Sequence, residues 1–190
     1  MLKGKNIIIG ITGSIAAYKS AELVRLFKKA GSEVKVIQTE SSLDFVSSLT
    51  LSTLSESKVI STMIDNDSGE WNNHVDLALW ADIIVIAPLT ANTMAKMARG
   101  ECDNILLATY LSAKCPVYFA PAMDLDMYKH NSTKKNISIL ESYGNHLIPS
   151  GFGDLASGLV GEGRMAEPSE IIDQIMHNLS ENLPLSGKKV

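Results

Sequence analysis

His74, in Asn73-His74-Val75-Asp76-Leu77, precedes a short helical stretch, and it is the residue type that exchanges protons near neutral pH. Three other segments place small, polar or glycine residues where a strand gives way to a helix. They are Gly10-Ile11-Thr12-Gly13-Ser14, Pro88-Leu89-Thr90-Ala91-Asn92-Thr93 and Pro121-Ala122-Met123-Asp124-Leu125-Asp126-Met127-Tyr128. A tight glycine turn entering a helix can ring a phosphate with backbone N–H groups, aided by the helix dipole. The first segment has neither the G-x-G-x-x-G dinucleotide spacing nor the terminal G-K-[ST] of a P-loop, so a structural turn explains it equally well. On residue type alone, capping is the favoured reading of Thr90, Asn92 and Thr93. Met123, Met127 and Tyr128 are more often core filler than the wall of a ligand site. A lone histidine is likewise more often a surface group or a satisfied buried one than a catalyst.

Other chemistries lack their residues. Cys102 and Cys115 are 13 positions apart and the histidines are scattered, so no His/Cys group has metal-ligand spacing and no metal is expected. There is no G-x-S-x-G elbow and no H-E-x-x-H.

The elements that must position these segments read as α/β. Asn6-Ile7-Ile8-Ile9-Gly10-Ile11 and Glu33-Val34-Lys35-Val36-Ile37 are strands around a helix from Ile15 to Ala30, which Gly31 stops. Ile83 to Ala87 and Pro116 to Ala120 are continuous apolar runs of the kind a parallel sheet buries on both faces. Between them lie helices from Ala91 to Arg99, ended by Gly100, and from Asp103, as N-cap, to Ser112. A helix from Ser132 to Tyr143, a short strand from His146 to Ile148 and a helix starting at Pro168 follow. The expected fold is a doubly wound, mainly parallel Rossmann-like (flavodoxin-like) sheet with helices on both faces. In such sheets ligands bind outside the carboxyl ends of the strands, where the segments above fall. Six of the 13 glycines lie between Gly144 and Gly163, a stretch that reads as a lid or linker without structure of its own.

Composition bounds the class. At 190 residues, 45% apolar and 20% charged, the chain can bury one sizeable core and is not a disordered type. A formal charge of −4 without a basic stripe speaks against nucleic acid. Two cysteines fit a reducing, cytoplasmic setting, and no apolar run reaches the roughly 20 residues that span a bilayer. Leu183-Pro184-Leu185-Ser186-Gly187 reads as a linker and Lys188-Lys189-Val190 as the entry to a further strand, giving a domain over 1–182 and a linker over 183–190.

Taken together, five ordered motifs resemble the flavin-dependent cysteine decarboxylase family. They are Gly13-Ser14-Ile15-Ala16-Ala17-Tyr18-Lys19, His74-Val75-Asp76-Leu77, Pro88 to Thr93, Pro121 to Tyr128, and the segment from Gly158 to Met165. The likeness runs from Lys5 to Leu179 and is greatest to the decarboxylase half of bifunctional phosphopantothenoylcysteine decarboxylase/phosphopantothenate–cysteine ligase. Flavin prenyltransferases are less similar.

The resemblance implies FMN, held by Gly13, Ser14, Ile15, Thr39, Ser41, Thr90, Ala91, Asn92, Thr93 and Ala122, with Thr90 to Thr93 at the phosphate. It implies His74 as the acid–base residue, Ser157 at the catalytic position of the flap, and Asp124, Ala156 and Met165 against the substrate. It also implies a homotrimer, or a dodecamer built from it, with sites at subunit interfaces, and a ligase domain in the natural chain. The implied reaction converts 4′-phospho-N-pantothenoylcysteine to 4′-phosphopantetheine in coenzyme A biosynthesis. Thiol oxidation gives a thioaldehyde, CO₂ leaves, and the electrons return, the cofactor carrying the hard step. The alternatives are a peptidyl-cysteine decarboxylase of the lantibiotic type and a non-catalytic FMN-binding regulatory subunit.

Two residues depart from the pattern. Asp124 stands where the family usually has an asparagine expected to engage the substrate carboxylate, and two carboxylates about 4 Å apart repel by about 4 kcal/mol at an effective dielectric of 20. Asp124 is then protonated, or faces an amide N–H, or meets a substrate that lies differently. Ser157 stands where the bifunctional enzymes generally have a cysteine that protonates the enethiol, and a hydroxyl is a far poorer acid than a thiol.

Overall fold

The computed structural model describes residues 1–65 and 68–181, so the linker expected over 183–190 lies outside the described residues. Strand β1 (Asn6–Ile11) leads through a 3-10 turn (Ile15–Lys19) into α1 (Ser20–Lys29) and then β2 (Glu33–Gln38). Helices α2 (Ser48–Ser55) and α3 (His74–Trp80) precede β3 (Ile83–Leu89), α4 (Ala91–Arg99), α5 (Ile105–Ser112) and β4 (Val117–Pro121). After α6 (Leu125–Lys129), α7 (Asn131–Ser142) and β5 (His146–Leu147) comes a hairpin of β6 (Gly151–Asp154) and β7 (Val160–Arg164). Helix α8 (Pro168–Glu181) follows the hairpin.

Strands β1 to β5 pair only in parallel, in the order β2-β1-β3-β4-β5. This is the doubly wound, flavodoxin-like arrangement. The chain leaves β1 in one direction for β2 and returns on the other side for β3, so the topological switch point lies between β1 and β3.

The two-residue period of the strands divides the core between the two faces. Ile7, Ile9 and Ile11 of β1 join Leu23, Val24 and Phe27 of α1 and Ile171 and Ile175 of α8. Ile8 faces the other way, into a cluster with Met94 and Met97 of α4, Leu106 of α5 and Leu140 of α7. Every residue of β3 is buried, as a central strand covered on both faces requires.

Three expectations are corrected, and one helix was not anticipated. The helix expected from Ile15 begins as the 3-10 turn and becomes α-helical only at Ser20, with Ser14 accepting from Ala16 N–H at its start. Asn104, not Asp103, caps α5; its side chain accepts from Leu107 N–H, while the Asp103 carboxylate pairs with Lys96. The stretch from Gly144 to Gly163 holds, besides the expected strand at His146, the β6–β7 hairpin, and so is not a structureless lid. Helix α2 was not anticipated, because Ser48-Leu49-Thr50-Leu51-Ser52-Thr53-Leu54-Ser55 alternates apolar and hydroxyl residues like a strand.

Candidate functional site

The carboxyl ends of β1 and β3 are tied together by one side chain. Thr12, fully buried, donates its hydroxyl to the Pro88 carbonyl at 2.8 Å and accepts from Thr90 N–H at 2.9 Å. Thr90 then caps α4 by accepting from Thr93 N–H. The first-turn N–H groups of Ala91 and Asn92 have no acceptor within the helix, and they open toward the same end of the sheet.

The turn after β2 closes on the first loop. Thr39 N–H donates to the Ile11 carbonyl at 3.0 Å, and Thr39 and Ser41 bring their hydroxyl oxygens to 3.3 Å. Gly13 is required at this contact: a Cβ there would lie 2.6 Å from Ser41 Cβ and 2.9 Å from its carbonyl oxygen. The sequence thus gathers Thr12, Ser14, Thr39, Ser41, Thr90 and Thr93, with two free helical N–H groups, around the switch point. Hydroxyls and N–H groups are the donor set a phosphate monoester needs.

A cleft of about 480 Å³ opens beside these loops. Of the residues expected from sequence, Ser14, Ile15, Ala122, Asp124, Ala156 and Met165 line it. Gly13, Thr39, Ser41, Thr90, Ala91, Asn92 and Thr93 sit on the neighbouring loops without forming its walls.

The β6–β7 hairpin walls the other side. Met123 N–H donates to the Gly163 carbonyl at 3.0 Å, and Ser150 Oγ donates to the Pro121 carbonyl at 3.1 Å. Gly163 has φ +129°, and a Cβ there would overlap the Met123 carbonyl oxygen, so only glycine permits this approach.

Sequence reasoning missed three of the four charged residues of the cleft, Lys19, Asp154 and Arg164. The Lys19 side chain is 7% exposed, and its ammonium donates to the Met165 carbonyl at 3.2 Å and to Glu167 at 2.8 Å. Arg164 donates to the same Glu167 oxygen at 3.0 Å. The hydrogen bond from Lys19 foremost, with that from Arg164, holds the Glu167 carboxyl below the usual range against the opposing effect of burial. No local signal marked the lysine, because the groups that cover it lie nearly 150 positions away.

Two further expected residues lie neither in the cleft wall nor on the loops beside the switch point. Ser157 lies exposed at the hairpin tip, where its hydroxyl accepts from Leu159 N–H at 3.4 Å. His74 opens α3, behind the Asn73 cap, with its ring edge-on to Trp71 at 5.8 Å between centroids. Its Nδ1 is buried without a hydrogen-bond partner, which is unusual for a buried polar atom. Burial pushes the Cys115 thiol up, away from thiolate chemistry, and both cysteines are free. Among the described residues no His, Cys, Asp and Glu group could hold a metal, and no helix is long and apolar enough to cross a membrane.

The flavoprotein family model matches residues 1–180. The chain belongs to that family. A curated cysteine/cysteine sulfinic acid decarboxylase from an unknown prokaryotic organism is 52% identical over 149 residues, 76% of this chain and 42% of its own length. The coenzyme A biosynthesis bifunctional protein CoaBC of Bacillus subtilis is 41% identical across 100% of this chain and 47% of its own length. This flavoprotein therefore spans about half the length of the curated relatives it matches. Among solved structures, a PPC decarboxylase mutant complexed with pantothenoylaminoethenethiol superposes with a TM-score of 0.82 at 33% identity. It covers 93% of this chain and 99% of that one. The FMN binding protein AtHal3 gives 0.81, also at 33% identity, over 95% and 100%.

Proposed function

We propose that this flavoprotein is an FMN-dependent decarboxylase that removes the carboxylate of a cysteine by transient oxidation of its thiol. The observation that carries the reading is the cleft itself, where the first loop, Ala122 and the flap hairpin meet beside the hydroxyl-rich switch point. Those hydroxyls, with the Ala91 and Asn92 N–H groups, suit the phosphate of FMN. Ser14, Ile15 and Ala122 suit the flavin end, with Asp124, Ala156 and Met165 against the substrate. When bound, FMN supplies the two-electron sink and returns the electrons, so the net reaction is redox-neutral.

The chain's own groups supply position and proton control. The Lys19–Glu167 and Arg164–Glu167 bonds hold the base of the flap. His74 is the proton-exchanging residue. Its unpartnered Nδ1 and its position outside this cleft support a role at a site completed by a second subunit, within a homotrimer or a dodecamer built from it. Ser157 at the flap tip is the group offered for returning a proton to the enethiol.

For the substrate, 4′-phospho-N-pantothenoylcysteine is supported by the bifunctional relative that matches the whole chain. That reading places the reaction in cytoplasmic coenzyme A biosynthesis, with residues 1–182 as the decarboxylase unit of a longer polypeptide carrying a ligase. A second reading, cysteine itself, is supported by the relative named for cysteine and cysteine sulfinic acid.

The test incubates the FMN-loaded chain with each substrate and follows products by mass. Loss of CO₂ from either is the expected result, and loss from neither overturns the proposal. An enethiol without the saturated thiol assigns the shortfall to Ser157, and Ser157→Cys then restores the saturated product. A His74→Asn variant is expected to stay yellow and lose turnover; normal turnover overturns its role.

A further inference from the structure

We propose that Asp124, reinforced by Asp154, makes the cleft selective for a substrate whose α-nitrogen is a free ammonium, so that it takes cysteine itself in preference to an N-acylated cysteine. The inference rests on the proposed decarboxylation and names its substrate class.

The first observation is the state of the charged groups in the cleft. Both cations, Lys19 and Arg164, are already bonded to Glu167. Neither carboxylate, Asp124 nor Asp154, has a hydrogen bond or ion pair within the described residues. Asp124 is especially telling: it occupies the N-cap position of α6, where aspartate normally bonds the first-turn N–H groups, yet its side chain makes no such bond. It is half-buried in the cleft wall two residues after Ala122, on the loop that Gly163 clamps. The two cations share the single Glu167 charge, so these five groups sum to −1, and the two aspartates are the ones left without a partner among the described residues.

The second is donor–acceptor chemistry. An asparagine at this position could donate its amide N–H to a substrate carboxylate and accept from a substrate N–H. An ionised aspartate only accepts, and it repels a carboxylate. The partner that satisfies it is an N–H donor, and a cationic one forms the stronger, charge-assisted bond. A free amino acid offers an ammonium on the carbon that bears the departing carboxylate. An N-acylcysteine offers only a neutral amide N–H there, which forms the weaker bond.

The reaction on cysteine balances without a further reagent. The bond between Cα and the carboxylate breaks, CO₂ leaves, a proton takes its place, and 2-aminoethanethiol results. The electron pair taken from the thiol-bearing carbon is returned to it through the cofactor.

The test compares kcat/KM for L-cysteine, N-acetyl-L-cysteine and 4′-phospho-N-pantothenoyl-L-cysteine on the FMN-loaded protein and on Asp124→Asn and Asp154→Asn. Wild type is expected to favour cysteine over N-acetylcysteine by roughly 10- to 100-fold, the usual range for a hydrogen bond to a charged group. Asp124→Asn is expected to erase that preference, and Asp154→Asn, on the exposed hairpin, to weaken it several-fold. A second readout needs no turnover: S-methyl-L-cysteine and N-acetyl-S-methyl-L-cysteine are titrated against the visible flavin spectrum, and the unacylated compound is expected to bind tighter in wild type only. Equal or better use of the acylated substrates by wild type, or a preference unmoved in both variants, overturns the inference and leaves the decarboxylase reading standing. If no substrate loses CO₂, the decarboxylase reading fails, and the S-methyl pair still decides whether the cleft reads the ammonium.

Discussion

Gly163→Ala tests whether the flap is held by backbone contact. The new Cβ would overlap the Met123 carbonyl oxygen, and φ at this position is +129°, a conformation that non-glycine residues rarely adopt. The backbone penalty is about 1–3 kcal/mol. Relieving the overlap moves β7 off the loop and breaks the Met123 N–H to Gly163 carbonyl bond at 3.0 Å, a further loss of about 1 kcal/mol. The combined cost of about 3 kcal/mol corresponds to more than a hundredfold shift toward the undocked hairpin.

The natural control is Gly158→Ala at the hairpin tip, where φ is +85° but nothing lies within 4 Å of a new Cβ. It carries the backbone penalty without the collision. Hydrogen exchange and limited proteolysis across residues 151–164 are the assays. Gly163→Ala is expected to lose protection throughout that segment while β1, β3 and β4 keep theirs, and Gly158→Ala to lose it only near the tip. Equal protection in the two variants would refute the argument that close approach at Gly163 docks the flap.

Thr12→Val removes the hydroxyl that joins the β1 and β3 loops and leaves the Thr90 N–H unpaired. About 1–3 kcal/mol of stability and at least a tenfold loss in FMN affinity are expected, read by thermal melting and flavin titration. Unchanged flavin affinity would remove Thr12 from the site. Glu167→Gln takes the charge partner from buried Lys19 and is expected to cost about 1–2 kcal/mol at neutral pH, less than a fully buried pair because Glu167 is itself half-exposed. Because its folded-state pKa is depressed, Glu167 stabilises the fold above the ordinary carboxylate range and loses that contribution as pH falls through the depressed value. The melting difference between wild type and variant is therefore expected to shrink below about pH 4; a difference that grew toward acid would contradict the assignment.

The parallel sheet was legible because its strands are continuous apolar runs, and α4 was legible to the residue because Thr90 caps it and Gly100 stops it. What stayed hidden depended on contacts between distant segments. Gly151-Phe152-Gly153-Asp154 and Val160-Gly161-Glu162-Gly163-Arg164 have weak intrinsic strand preference, and Gly161 and Gly163 are there to meet the 123–125 loop. Nothing local marked Lys19, because Met165 and Glu167, which close over it, come nearly 150 positions later. The loops around the candidate cleft were legible, because they carry local turn and cap signals. The cleft's charge balance was not, because which carboxylates remain unpaired is decided only when the flap folds back.

The most direct measurement mixes the FMN-loaded chain, without oxygen, with cysteine or its phosphopantothenoyl amide labelled at the carboxylate, and collects the gas phase. Labelled CO₂ is expected in step with loss of substrate, carrying the label from the cysteine carboxylate. Flavin that binds normally while both substrates keep their labelled carboxylates would contradict it.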